Sequence, residues 1–120
     1  MRIIFIRHGE SQNNIEMMKG RDNYEENRTH EPKVSEVGLD ASIRLGKELK
    51  ELGIEFDKIF CSAQLRAVIT AKCIREGYQG SQPIEIRKIC HENKGTHEKG
   101  VTVPGLTLKD IKNFVPDIQS

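Results

Sequence analysis

The chain of 120 residues predicts an α/β fold, a mostly parallel sheet flanked by helices in three layers. Three observations lead there. Short β-branched runs at Met1 to Ile6, Lys58 to Ser62 and Pro83 to Ile89 are separated by stretches with helical periodicity. The first two runs each pass through a polar loop into a helix, the connection that parallel strands need. No repeat, heptad or low-complexity tract interrupts the alternation, and one core spanning 1–120 fits a chain that is 36% apolar and 31% charged.

Met1 to Ile6 is rich in isoleucine and reads as a buried strand that ends at Arg7-His8-Gly9. Glu10 to about Met18 is weakly helical, and the polar stretch from Lys19 to Lys33, closed by Glu31-Pro32, reads as an exposed loop. Ser35 is placed to cap a helix whose apolar stripe is Val37, Ala41, Leu45, Leu49 and Leu52, with Gly53 at its C-terminal stop. A second strand over Lys58 to Ser62 leads into a helix with Leu65, Val68, Ile69 and Cys73 as its buried stripe, ending near Gly77. In Pro83 to Ile89 the isoleucines 84 and 86 alternate with Glu85 and Arg87, which predicts a third strand. His91 to Gly100 reads as irregular. Thr107 and Asp110 have capping-box spacing for a last helix carrying Leu108, Ile111 and Phe114, stopped by Pro116.

Charge and cysteine usage exclude several classes. With 19 Lys and Arg against 18 Asp and Glu, the net charge of +1 supplies no long-range field for nucleic acid or an acidic membrane, so neither is expected as a partner. The run Ile3 to Ile6 is too short for a signal segment or a membrane span. Three cysteines without CxxC spacing argue against a disulfide framework and a zinc site, which makes a reducing cytoplasm the expected compartment.

Arg7-His8-Gly9-Glu10-Ser11 falls at the carboxyl end of the first strand, where open α/β sheets place ligands. A helix N-terminus after the loop and the planar guanidinium of Arg7 both suit a phosphate dianion. A neutral imidazole nitrogen of His8 between such donors can attack phosphorus and form a phosphohistidine, and Gly9 is expected to let the backbone approach the anion. Taken alone, His8 is ordinary as a loop histidine and Arg66 as a surface cation. The second strand repeats the layout, however, and sets Arg66 at the start of the next helix, so that two arginines reach one edge of the sheet.

Arg7-His8-Gly9-Glu10-Ser11 with Asn14, the helix entry Val34-Ser35 with Gly38, and Ser62 followed by Arg66-Ala67 and Thr70-Ala71 resemble three successive signatures of the histidine phosphatase superfamily. Gly105-Leu106-Thr107 through Phe114 and Pro116 is similar to a later segment of that phosphoglycerate-mutase-like family. The resemblance implies His8 as nucleophile, Arg7 and Arg66 as phosphate clamps, and Asn14, with Ser11 beside it, as polar contacts to phosphate or substrate. It also implies a general acid at Glu92, which falls soon after the third strand, with His91 and Glu98 as competitors and a solvated loop carboxylate as the plain alternative. His30 and His97 read as surface residues, and no cofactor is implied because the arginines neutralise charge.

Two departures bear on activity. The family's second pocket histidine, in a strand ending in His-Gly, has no match here, and the chain is accordingly read as a domain incomplete at its C-terminus. A missing segment or a partner chain is expected to complete the sheet, and the 120 residues alone are expected to be weakly active or inactive. Glu92-Asn93-Lys94-Gly95 also differs from the Glu-Arg-x-Tyr-Gly run of the mutases, while Ala41 stands where the family often has Gln. The expected function is phosphatase-type transfer from an unidentified phosphomonoester, small molecule or phosphoprotein. The alternatives are a phosphoglycerate mutase and a non-catalytic phosphate-binding or assembly subunit.

Overall fold

The computed structural model describes residues 1–22, 32–87, 90, 97–98, 101–102 and 106–120. In chain order these form α1 (Gln12–Met18), α2 (Glu36–Glu51), β1 (Ile59–Cys61), α3 (Leu65–Tyr78), β2 (Ile84–Ile86), β3 (His97–Glu98), β4 (Val101–Thr102) and α4 (Leu108–Lys112). The parallel α/β architecture read from the alternation is present: β1 and β2 pair in parallel with Ile59 opposite Ile84 and Cys61 opposite Ile86, and α3 is the crossover between them. The stretch read as irregular, His91 to Gly100, contains the short strand β3, which pairs antiparallel with β4 just beyond it.

The sheet, α3 and the C-terminal segment share one core. Cys61, Val68, Ala71, Ile84, Ile111, Val115 and Ile118 are all buried there. Gln119 extends the sheet beyond β2 by a bridge to Glu85, its N–H donating to Ile84 O at 2.9 Å and its carbonyl accepting from Ile86 N at 2.8 Å. Arg75 on α3 grips Asp117 with two bonds of 2.8 and 3.1 Å, which fixes the same segment from the outside. A capping box of Thr107 and Asp110 starts α4, as their spacing predicts.

A smaller cluster of Leu49, Ile74 and Tyr78, lined by Leu45, Ile54 and Phe56, joins α2 to the other side of α3. Here the expected stripe needs correction. Val37 and Leu52 are exposed, and the buried positions of α2 are Gly38, Ser42, Gly46 and Leu49. Small residues line the crossing because the backbones nearly touch: a Cβ on Gly46 would collide with Ile74 O and Tyr78 N, and one on Gly77 with Ile43 O. On α3 the buried set is likewise broader than the apolar stripe and includes Arg66 and Thr70, with Leu65 and Ile69 only half-buried.

Residues 1–6 also depart from expectation. They form no strand, and Ile3 and Phe5 are 62% and 90% exposed. β-branched composition favours an extended backbone, but a strand exists only where a neighbour completes its hydrogen bonds, and among the described residues none lies alongside this run. Among the described residues no helix is long and apolar enough to cross a membrane.

Candidate active site

The loop that carries His8 is fixed through Gly9 and Glu10. Gly9 lies so close to α2 that an added Cβ would stand 2.9 Å from Gly38 O and 3.0 Å from Ser42 Oγ. Packing against the helix is thus by itself a reason for glycine at this position. The next residue holds the same helix twice. Glu10 O accepts from Ser35 N at 2.7 Å, and the Glu10 carboxylate accepts from Ser35 Oγ at 2.7 Å. Ser35 in turn caps α2 by accepting from Gly38 N at 3.1 Å. Thr70 reaches the loop from α3, its Oγ1 accepting from Gly9 N at 2.9 Å.

His8 is half-buried within this frame, with Nδ1 2.7 Å from the carbonyl oxygen of Gly9. A carbonyl only accepts, so in the neutral ring Nδ1 carries the proton and Nε2 the lone pair. In that tautomer the nucleophilic lone pair of the ring is on Nε2.

The other residues singled out by sequence divide into three groups. Arg7 is exposed beside His8, whereas Arg66, in the first turn of α3, is only 4% exposed. A guanidinium so buried is not a surface cation, which removes the plain reading of this residue. Ser11 and Asn14 cap α1 reciprocally, Ser11 N and Oγ both donating to Asn14 Oδ1 at 3.0 Å and Asn14 N donating to Ser11 Oγ at 3.3 Å. Glu92 and His91 lie outside the described residues, as do His30 and the side chains of His97 and Glu98.

Sequence reasoning missed Glu10 and Thr70 as parts of the frame. Both belong to motifs that it quoted, but their partners lie 25 and 61 residues away, which no local pattern encodes.

Cys61, next to Ser62 at the end of β1, is another side chain whose chemistry suits a nucleophile. Burial first, and the neighbouring Cys90 second, push its thiol up to about 12. It stays protonated at neutral pH and is no nucleophile there. Among the described residues no three His, Cys, Asp or Glu side chains gather in a metal-binding arrangement.

Residues 3–108 match the family described as Histidine phosphatase superfamily (branch 1). Over 77 residues the chain is 38% identical to the 2,3-bisphosphoglycerate-dependent phosphoglycerate mutases of Neisseria meningitidis and Neisseria gonorrhoeae, a match covering 63% of this chain and 30% of each mutase. A crystal structure of the ecdysone phosphate phosphatase from Bombix mori, in complex with tungstate, is similar in fold, with a TM-score of 0.60 and 18% identity over 76% of this chain and 35% of that one. The chain thus spans about a third of the length of the relatives it matches. With the family match extending over residues 3–108 of 120, this chain belongs to the histidine phosphatase superfamily.

Proposed function

We propose that the chain acts in phosphoryl transfer from a phosphomonoester, through a phosphohistidine formed at Nε2 of His8. The observation that carries this reading is the 2.7 Å contact of His8 Nδ1 with Gly9 O, which assigns the lone pair to Nε2. In the first step Nε2 bonds to phosphorus while the ester P–O bond breaks, and the leaving oxygen takes a proton from the acid expected at Glu92. In the second step water attacks phosphorus as the P–N bond breaks, its proton passing to the carboxylate expected at Glu92, so that inorganic phosphate leaves and the imidazole and the acid are both restored. Arg7 and Arg66 hold the equatorial oxygens, where positioning and fixed charge supply most of the rate enhancement.

Hydrolysis is the leading outcome because Glu92-Asn93-Lys94-Gly95 departs from the run that comes after the acid in mutases. The 38% identity to phosphoglycerate mutases supports a second reading, in which the phosphohistidine returns its group to another hydroxyl of the substrate. Trapping with labelled phosphomonoester and peptide mapping tests both. With the pocket completed by the missing segment or partner, label on His8 that is lost in His8→Ala is expected. Label on a serine or cysteine would refute the mechanism, and label passing to a second position of the substrate without release of phosphate would favour transfer over hydrolysis.

Binding can be read without turnover. Tungstate, a tetrahedral oxyanion like phosphate, should bind to the chain and protect His8. Arg66→Ala should weaken it by about 2 to 3 kcal/mol, the scale of a lost charge-assisted hydrogen bond, measured by titration calorimetry.

A further inference from the structure

Thr70 lies one helical turn after Arg66 on α3 and is buried. Its hydroxyl makes two bonds: Oγ1 donates to the carbonyl of Arg66 at 2.7 Å and accepts from Gly9 N–H at 2.9 Å. The first is the ordinary back-bond of a helical threonine and calls for no function. The second joins α3 to a residue 61 positions earlier. Gly9 is also the residue whose carbonyl receives His8 Nδ1. Both polar groups of Gly9 are therefore committed, its N–H to the helix that carries Arg66 and its carbonyl to the imidazole.

The hydroxyl has one proton and two lone pairs. Because Arg66 O takes the proton, the lone pairs point away from the helix axis and set the direction from which Gly9 N–H arrives. Glu10 and Ser11 tie the same loop to α2 and to the segment before it, through Ser35 and Val34. The bond of Thr70 ties it to α3. We infer that Thr70 is a positioning residue, holding the His8 loop in register with the helix of Arg66 so that imidazole Nε2 and guanidinium address one anion. The inference rests on the phosphohistidine reading of the site and adds to it the element that aligns its two parts. A displacement of the order of 1 Å between such groups is enough to cost about a hundredfold in a site of this kind, so one buried hydroxyl has leverage.

The test compares Thr70→Val, which keeps the shape and removes the hydroxyl, with Thr70→Ala and with Thr70→Ser, which restores the hydroxyl. Two readouts are taken on the full chain: hydrogen exchange of the Gly9 amide by NMR and the affinity for tungstate by calorimetry. In Thr70→Val and Thr70→Ala we expect Gly9 exchange to accelerate, and tungstate affinity to fall, each about tenfold. Thr70→Ser should match the unmodified chain in both.

Unchanged Gly9 exchange in a folded hydroxyl-free variant would overturn the link. Faster exchange with unchanged tungstate affinity would overturn the positioning role. Failure of both hydroxyl-free variants to fold while Thr70→Ser folds would make Thr70 a stability residue and overturn it as well. Arg66→Ala separates the two levels. If the unmodified chain does not bind tungstate, or binds it equally well after Arg66→Ala, the phosphoryl reading fails. If binding depends on Arg66 and not on the Thr70 hydroxyl, the positioning role fails alone.

Discussion

A methyl group at Gly9 would press on Gly38 O and Ser42 Oγ, two atoms of α2 that cannot both retreat. Gly9→Ala should cost about 1 to 3 kcal/mol in urea unfolding and move the His8 loop off the helix at the same time. Arg7, His8 and Arg66 stood out in sequence because together they carry the charge and the nucleophile that the proposed phosphoryl transfer needs. The purpose of Gly9 and the second bond of Thr70 were not, since each depends on an atom of a distant element. Cysteine reactivity makes a separate test at this scale. Cys90 is exposed, while Cys61 and Cys73 are buried and both thiols are pushed up, chiefly by burial. Iodoacetamide at pH 8 should alkylate Cys90 well before the other two, as read by peptide mass. The Cys61 thiol ionises near 9 when unfolded and near 12 when folded. Its contribution to stability is therefore full below about pH 9 and is lost as pH climbs toward 12.

The helices were found in the sequence more reliably than their buried faces. Periodic apolar residues in α2 located the helix, yet its buried face runs through Gly38, Ser42 and Gly46, the first two beside the His8 loop and Gly46 against α3, because only small side chains let two backbones approach so closely. Hydropathy scores a glycine as neither inside nor outside, so the face could not be read from it. Gly46→Ala and Gly77→Ala should each cost more than about 2 kcal/mol by forcing the crossing apart, a loss visible as a lower melting temperature. Val37→Ala, on the exposed face, should change the melting temperature little. The start of α2 carries a further load, since Ser35 both caps Gly38 N and donates to Glu10. Ser35→Ala should therefore cost about 1 to 2 kcal/mol, more than Thr107→Ala at the exposed cap of α4.

At the scale of the whole chain, the C-terminal segment from Leu106 onward closes the core against β2 and α3. Ile111, Val115 and Ile118 fill it, Gln119 pairs with the sheet edge, and Arg75 holds Asp117. Ile111→Ala should cost about 2 to 5 kcal/mol by leaving a cavity at the junction of all three elements. The Arg75 guanidinium bonded to Asp117 holds that carboxyl below its usual range. The linkage contributes stability above the ordinary carboxylate pKa and loses it as pH falls through the lowered folded value. Asp117 is largely exposed, so the effect is screened, and Asp117→Asn should only slightly flatten the acid limb of the stability curve. The alternation of strands and helices made the fold class legible at this scale. The pairing of residues 1–6 was not, because composition records a preference for extended backbone and says nothing about which neighbour is present.

That apolar run has a practical side. Ile3, Ile4, Phe5 and Ile6 stand open to solvent in succession, with Met1 beside them. Such a patch governs colloidal behaviour rather than folding. The protein should bind hydrophobic dyes while fully native and scatter light increasingly with concentration. Phe5→Lys should suppress both at an unchanged melting temperature, since the ring of Phe5 is 90% exposed and contributes nothing to the core. Handling, storage and crystallisation would then be limited by a few residues at one end of a chain whose stability is decided elsewhere.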